Sequence, residues 1–377
     1  MTIYKDSKRI VGTNADRVGS TTSLPVGGVA GWKEVARTTL GSANTDILVS
    51  SIPDKRYYMI LGYGQGYGSA VSNFRHRFNG VTDNYYSSNQ AQNGGSASNY
   101  TGLNGIQQDK ATNGNSGCIV VGYVASKSGK EKLVQLLTAE MGNTGASVAP
   151  VNRKRIAGKY VPSDLTDSIS SYTWTQYQGT DQFQSGNEVV ILGYDPADTH
   201  TDNFWEELAS VTASSTSGEL STGTFTAKKY LMIQIYNPAK PSGNNGYVYY
   251  NDVTTGTTHS GRSNTNGKNP TNQSSASDYE LTSSNGSILN HDPTASGTTA
   301  SIFHTGFIVN VSNKEKLEIW EGVSSWTTAG AGTAPARFTN VGKWAKTDQA
   351  ITSVQYGAGS GSTFVASGST IKVWGHD

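Results

Sequence analysis

The chain has 377 residues, with 29 Lys and Arg against 28 Asp and Glu, a formal net charge of +1 and only 15% charged residues. So even a balance argues against nucleic acid as a partner, because phosphate binding needs a clustered cationic excess. A single cysteine rules out an intrachain disulfide, while 44 Gly and 20 Tyr suit short strands joined by polar turns rather than a helical bundle.

Residues 1–30 carry Gly12, Gly19, Pro25, Gly27 and Gly28 and are mildly basic through Lys5, Lys8, Arg9 and Arg17. They predict an extended N-terminal arm that docks on a polar partner surface. The opening MTIYKDSKRI lacks the apolar run of a secretory leader, and nowhere do 18 apolar residues follow one another, so neither export nor membrane insertion is expected. GWKEVA then starts an alternating strand, Trp32 to Leu40, and DKRYYMIL a stronger one, Tyr57 to Leu61. GYGQGYG, Gly62 to Gly68, fits neither G-x-G-x-x-G nor the Walker spacing and reads as a flexible hairpin or loop. From Gly80 to Gly117 the chain is polar and Gly-rich, predicting a long loop. CIVVGYV follows as a strand, with Cys118 as a small buried hydrophobe. Next come KEKL at Lys130, the basic triplet Arg153-Lys154-Arg155 read as a solvated strand edge, GKY at Gly158, a strand at Ile169, and a closing strand from Glu188 to Tyr194.

The same series then recurs. GWKEVA returns as FWEELA and DKRYYMIL as AKKYLMIQ, both 173 positions on (204 less 31; 227 less 54). KEKL and Gly158-Lys159-Tyr160 return as KEKL at Lys314 and Gly342-Lys343-Trp344, both 184 positions on (314 less 130; 342 less 158). A second polar stretch, Gly256 to Ser301, predicts a second long loop, and Ile351 a second short strand. So long a period describes two whole domains rather than a solenoid. The division is an arm at 1–30, a first domain at 31–195 and a second at 196–377. About eight mostly antiparallel strands per copy predict an all-β protein of two tandem β-sandwiches, with a jelly roll as the leading topology.

Chemistry is sparse. No G-x-S-x-G nucleophile elbow occurs, and His76, His200, His259, His291, His304 and His376 are scattered without metal-ligand spacing. Asp195, Asp198 and Asp202 could gather calcium, but Asp-Pro and Asp-x-Thr are ordinary turn and cap chemistry at an interdomain link. No metal, cofactor or catalytic residue is therefore assigned. Binding suits the composition better, since neutral glycans are held by aromatic faces with Asn, Asp and backbone groups at the hydroxyls. The candidates are Tyr85, Tyr86 and Tyr100 in the first copy and Tyr249, Tyr250 and Tyr279 in the second, whereas Trp32, Trp205, Trp344 and Trp374 lie in strand motifs and read as core.

The motifs GWKEVA, SIPDKRYYMIL, RFNGVTDNYYS, GKWAKTDQAITS and FVASGSTIKVWG resemble jelly-roll modules in virion proteins of tailed phages and related marine viruses. The second copy departs from that pattern at the middle motif, where YVYYNDVTTG stands in place of RFNG. The resemblance implies a non-enzymatic virion protein, displayed as capsid decoration or as a tail or host-attachment module. Its arm would meet other virion proteins, it would assemble as a trimer, and a host surface glycan would be a partner, with many copies turning weak contacts into avidity. The alternatives are a double-jelly-roll major capsid protein and a cellular glycan-binding lectin, the latter disfavoured by the missing leader.

Overall fold

The structure is a computed structural model and describes residues 31–67, 72–92, 98–111, 117–141, 144–147, 152–177, 182–195, 203–239, 245–266, 277–290, 301–325, 335–358 and 363–377, with the backbone of two strands before them. Among these residues every regular element is a β-strand. The two leading strands, β1 (Ile3–Lys5) and β2 (Lys8–Val11), form an antiparallel hairpin that sets Lys5 opposite Lys8. Lys5, Lys8 and Arg9 thus sit in paired strands rather than in a wholly extended arm, and Arg17 lies outside the described residues.

The next strands are β3 (Lys33–Thr39), β4 (Asp46–Val49), β5 (Tyr57–Tyr67), β6 (Ser72–Phe78), β7 (Tyr86–Gln92), β8 (Ser98–Leu103) and β9 (Ile106–Ala111). After them come β10 (Gly117–Ala125), β11 (Lys132–Glu140), β12 (Asn152–Tyr160), β13 (Tyr172–Gln176), β14 (Gln182–Phe183) and β15 (Glu188–Tyr194). They build a large sheet in the order β3-β15-β5-β10-β11-β12-β7-β8, with β14 also on β5, and a small sheet in the order β4-β13-β6-β9. Between these sheets lies a core that includes Ile60, Val120, Leu136, Tyr172, Trp174 and Phe183.

The second series is β16 (Glu206–Thr212), β17 (Glu219–Ser221), β18 (Tyr230–Asn237), β19 (Gly246–Tyr250), β20 (His259–Asn266) and β21 (Ser277–Ser284). It continues with β22 (Ser287–Asn290), β23 (Ile302–Val309), β24 (Lys316–Ser324), β25 (Ala336–Trp344), β26 (Val354–Ala358) and β27 (Thr370–His376). Its large sheet runs β16-β27-β18-β23-β24-β25-β20-β21 and its small sheet β17-β26-β19-β22. Apart from β14, which has no counterpart strand among the described residues, this repeats the first order. Its own core includes Ile233, Ile308, Trp320, Trp344 and Tyr356.

Four sequence expectations are corrected here. GYGQGYG is a strand, not a loop: residues 62–67 belong to β5, and a Cβ on Gly64 would stand 2.8 Å from Phe183 and 2.9 Å from Trp174, so the glycine makes room for the buried indole. The polar stretches hold β7 to β9 and β20 to β22 rather than long loops. Arg153-Lys154-Arg155 is no solvated edge: Lys154 is fully buried against Glu140 at 3.0 Å. Arg153 donates to the Thr339 carbonyl at 2.8 Å, and Arg155 pairs with Glu321. The strands foreseen at Ile169 and Ile351 start three residues later, while both isoleucines anchor the loops before them in the core.

The strands at the centre of each large sheet are apolar on both faces, as expected of strands buried on two sides. Their inner faces line the sandwich cores, and their outer faces meet each other. Met59, Leu61 and Tyr63 of β5, Val121 of β10 and Leu137 of β11 join one cluster with Tyr230, Met232, Phe307, Leu317, Ile319 and Trp374 of the second half. The molecule is therefore four sheets deep. Trp205 and Trp374 belong to this intersheet cluster rather than to a sandwich interior, whereas Trp344 is inside its sandwich as expected.

Candidate functional site

The first large sheet extends past the area its neighbour covers. Beyond that cover Trp32, Tyr57, Tyr123, Leu133 and Gln135 line an open hollow of about 320 Å³. Tyr57 precedes Met59 by two residues and Ala125 pairs with both Tyr57 and Leu133, so strand alternation puts these side chains on the outer face. Tyr194 supports the aromatic wall, with its ring centroid 6.0 Å from Trp32 and 6.1 Å from Tyr57. Arg56 lies 5.6 Å over the Tyr57 ring. Leu133 is 58% exposed, an unusual position for a leucine in a large sheet.

A second hollow of about 300 Å³ shares Tyr123 and Gln135 and is closed from the other side by Thr305, Phe307, Ile319 and Glu321. Arg155 and Glu321 meet at its edge through two hydrogen bonds. Burial raises the Glu321 carboxyl, opposed by the Arg155 charge. Burial likewise pushes the Tyr123 phenol up to about 12. The surface is thus aromatic, neutral over most of its area and bounded by paired charges, which suits adhesion by contact rather than proton transfer.

The groups that could do chemistry lie elsewhere, inside the first sandwich. Tyr172 Oη stands 2.5 Å from His76 Nδ1, and His76 Nε2 stands 2.9 Å from Gln108 Oε1. The Gln108 amide donates to Cys118 Sγ at 3.1 Å and to Glu140 at 3.3 Å, and Glu140 also accepts from Asn152 at 2.8 Å and Lys154 at 3.0 Å. Cysteine, histidine and carboxylate are all present, yet Gln108 separates His76 from Cys118. Each member of the chain is at most 4% exposed. Burial pulls His76 down to about 4 and pushes the Cys118 thiol well up, so neither the thiolate nor the imidazolium forms near neutrality. This network satisfies buried polar atoms and holds the two sheets together.

The predicted glycan contacts fare unequally. Tyr86, Tyr249 and Tyr250 are buried and offer no face to a sugar: Tyr86 Oη bonds the Phe78 backbone, Tyr249 packs over Gly286, and Tyr250 donates to Glu318. Tyr86 and Tyr250 occupy core positions because their strands alternate inward at those residues, whereas Tyr249, one residue before Tyr250, lies on the opposite face of its strand beside Tyr247. Tyr85 and Tyr100 keep partly exposed rings, and the side chain of Tyr279 lies outside the described residues. Asp195 is described, but Asp198 and Asp202 are not, and among the described residues no three acidic, His or Cys groups gather as metal ligands. Trp32, read as core, is a half-buried wall of the hollow. The hollow was legible in one signal: DKRYYMIL and CIVVGYV are apolar at successive positions, a pattern that demands a partner on both faces of the strand.

No protein-family model and no curated protein matches the chain. Among solved structures it is similar to domains LG4-5 of the mouse laminin alpha1 chain, at 10% identity over 93% of this chain and 92% of that one, with a TM-score of 0.18. It is also similar to Ail, the attachment invasion locus protein of Yersinia pestis, at 4% identity over 78% and 99% of the two chains with a TM-score of 0.13. The NanC porin matches at 11% identity over 77% and 99%, again with a TM-score of 0.13. Scores so low leave fold and function to the chain's own residues.

Proposed function

We propose that the chain is a non-enzymatic virion structural protein, two tandem jelly-roll domains at 31–195 and 196–377 behind a docking segment at 1–30, displayed on the particle as capsid decoration or as a tail or host-attachment module. The small-sheet order β4-β13-β6-β9, in which no two neighbours are consecutive strands of the chain, supports the jelly-roll reading, because such crossings between two sheets are its signature. The observation that carries the functional reading is the contrast between inside and outside. His76, Cys118, Glu140 and Lys154 are sealed in an interior hydrogen-bond network, while the open surface holds an aromatic patch on a large sheet, which is the equipment of a protein that assembles and adheres. A host-glycan contact would fall to the polar β7–β8 edge, where Tyr85 and Tyr100 remain partly exposed.

Mass spectrometry and cryo-EM of purified particles test this reading. Discrete density outside or at the tail of the shell, fitted by two sandwiches, is the expected result. Shell-forming copy number would favour the major-capsid alternative, and absence of the chain from particles would overturn the viral reading altogether.

A further inference from the structure

The outer faces of the two large sheets are duplicates of each other, but they are used unequally. Register pairs Tyr57 with Ala125 and Ala125 with Leu133 in the first sheet, and Tyr230 with Val309 and Val309 with Leu317 in the second. Trp32, Tyr57, Tyr123, Leu133 and Gln135 therefore have Trp205, Tyr230, Phe307, Leu317 and Ile319 as counterparts. In the second sheet this set is buried, and what buries it is the first sheet's other half, including Leu61, Tyr63, Ile119 and Ala139. In the first sheet the same set is the open hollow.

The reverse asymmetry holds at the other end. Tyr63, Ile119 and Ala139 have Tyr236, Phe303 and Val323 as counterparts, since register joins Tyr63 to Ile119 and Ile119 to Ala139 as it joins Tyr236 to Phe303 and Phe303 to Val323. The first trio is buried, and the second is exposed, at 42%, 40% and 42%. Each chain thus leaves open one copy of each half of a contact it already makes internally. Only the shared middle row, Met59 with Met232 and Leu192 with Trp374, is buried in both sheets.

We propose that a second copy of this chain is the occupant: the Tyr236, Phe303 and Val323 face of one chain docks on the Trp32, Tyr57, Tyr123 and Leu133 hollow of the next. The intermolecular contact repeats the outer rows of the intramolecular one. It joins two different surfaces, so it is head-to-tail, and it generates a ring where the rotation closes and a filament where it does not. Continuity with the existing interface and the counterpart residues carry this, independently of any place on a virus particle.

Sedimentation velocity of the purified full chain over a dilution series tests it. The wild-type chain is expected to associate reversibly, and Leu133→Glu and Phe303→Glu are each expected to abolish association. Mixed in equal amounts, the two variants should form a heterodimer and nothing larger, because each retains one intact surface. Both positions are solvent-exposed, and unchanged thermal unfolding verifies the fold; Gln135→Lys and Val323→Lys form a second pair on the same two surfaces. A wild-type chain that stays monomeric throughout, variants that still associate, or a mixture that stays monomeric would each overturn the proposal. So would a monomer whose hollow takes a neutral oligosaccharide, read as Trp32 fluorescence quenching, since the hollow would then belong to a ligand.

Discussion

Asn79 and Asn251 show how a repeat can survive where its motif has been rewritten. RFNG and YYND share only the asparagine, and both asparagines adopt left-handed backbone, at φ 55° and 53°, a region this residue tolerates better than most. Asn79 Oδ1 accepts from the amides of Ser170 (2.8 Å) and Ser171 (3.3 Å) while Nδ2 donates to Ser168 O (2.7 Å). Asn251 does the same with Thr352 (2.8 Å), Ser353 (3.1 Å) and Ala350 O (2.7 Å). Each side chain thereby clamps the segment that leads into the next small-sheet strand. Asn251→Ala should cost roughly 3 kcal/mol in chemical denaturation, from three hydrogen bonds at about 1 kcal/mol each, and Asn251→Gly about 1 kcal/mol less, because glycine removes the left-handed strain. Equal losses would mean that the backbone there is unstrained. Glu318 makes a second residue-scale case. It is buried, accepting from Tyr250, Ser287 and Trp320 Nε1, the last at 3.0 Å, and burial raises its carboxyl above the usual range. The folded protein therefore holds this proton to higher pH than the unfolded chain does. Its stabilising contribution is complete below the unfolded carboxylate value of about 4.3 and is lost as pH rises through the raised folded value. Glu318→Gln keeps acceptors for Tyr250 and Trp320 and a donor for Ser287, so it should stabilise the protein at pH 8 and change little at pH 4 in urea titrations.

At the scale of strands, what packs against a position decides its residue more often than propensity does. Gly62 and Gly64 face Trp174, at 3.1 and 2.9 Å from where a Cβ would stand, so a run that reads as a loop is a strand thinned for an indole. Gly64→Val should displace Trp174, cost about 3 kcal/mol and flatten the near-ultraviolet dichroism of the buried tryptophan. If the dichroism is unchanged, Trp174 does not depend on that glycine. The same logic explains what the sequence could and could not disclose. Apolar runs at 57–61, 118–124 and 188–194 announced their strands. The strand 86–92 did not, because Ser88 and Gln90 take the inward positions where hydrophobes are expected, so burial alternates along it while hydropathy does not. The basic triplet misled for a related reason: Lys154 finds Glu140 fourteen residues away across a hairpin, and Arg155 finds Glu321 in the other sandwich. Such partners exist only once the sheets have formed.

For the whole molecule, the sandwiches depend on each other. The cluster between their large sheets is flanked by polar ties: Tyr230 Oη donates to Glu188 at 2.7 Å and Lys229 pairs with it at 2.9 Å. Burial pushes the Glu188 carboxyl up, yet hydrogen bonds from Thr39, Lys229 and Tyr230 hold it below its ordinary value. Expressed alone, residues 203–377 would expose Phe307, Leu317, Ile319 and Trp374 together, so that half should aggregate and be rescued by co-expression with the first; a soluble monomeric half would show the interface to be dispensable. Acid strains the same assembly from within. His76 is held down to about 4 and His259 and His304 to about 3, all by burial, against about 6.5 in an unfolded chain. Between those values the unfolded chain binds up to three more protons than the folded one. The stability conferred by the neutral imidazoles is therefore complete above pH 6.5 and is lost as pH falls toward the folded values, by about 2 kcal/mol per histidine at pH 5. His304 isolates the effect, because neither ring nitrogen has a hydrogen-bond partner among the described residues and its counterpart in the first sandwich is Val120. His304→Val should raise stability at pH 5 by about 2 kcal/mol more than at pH 7, read from urea midpoints at the two pH values. An equal gain at both would mean that this imidazole does not gain its proton only on unfolding.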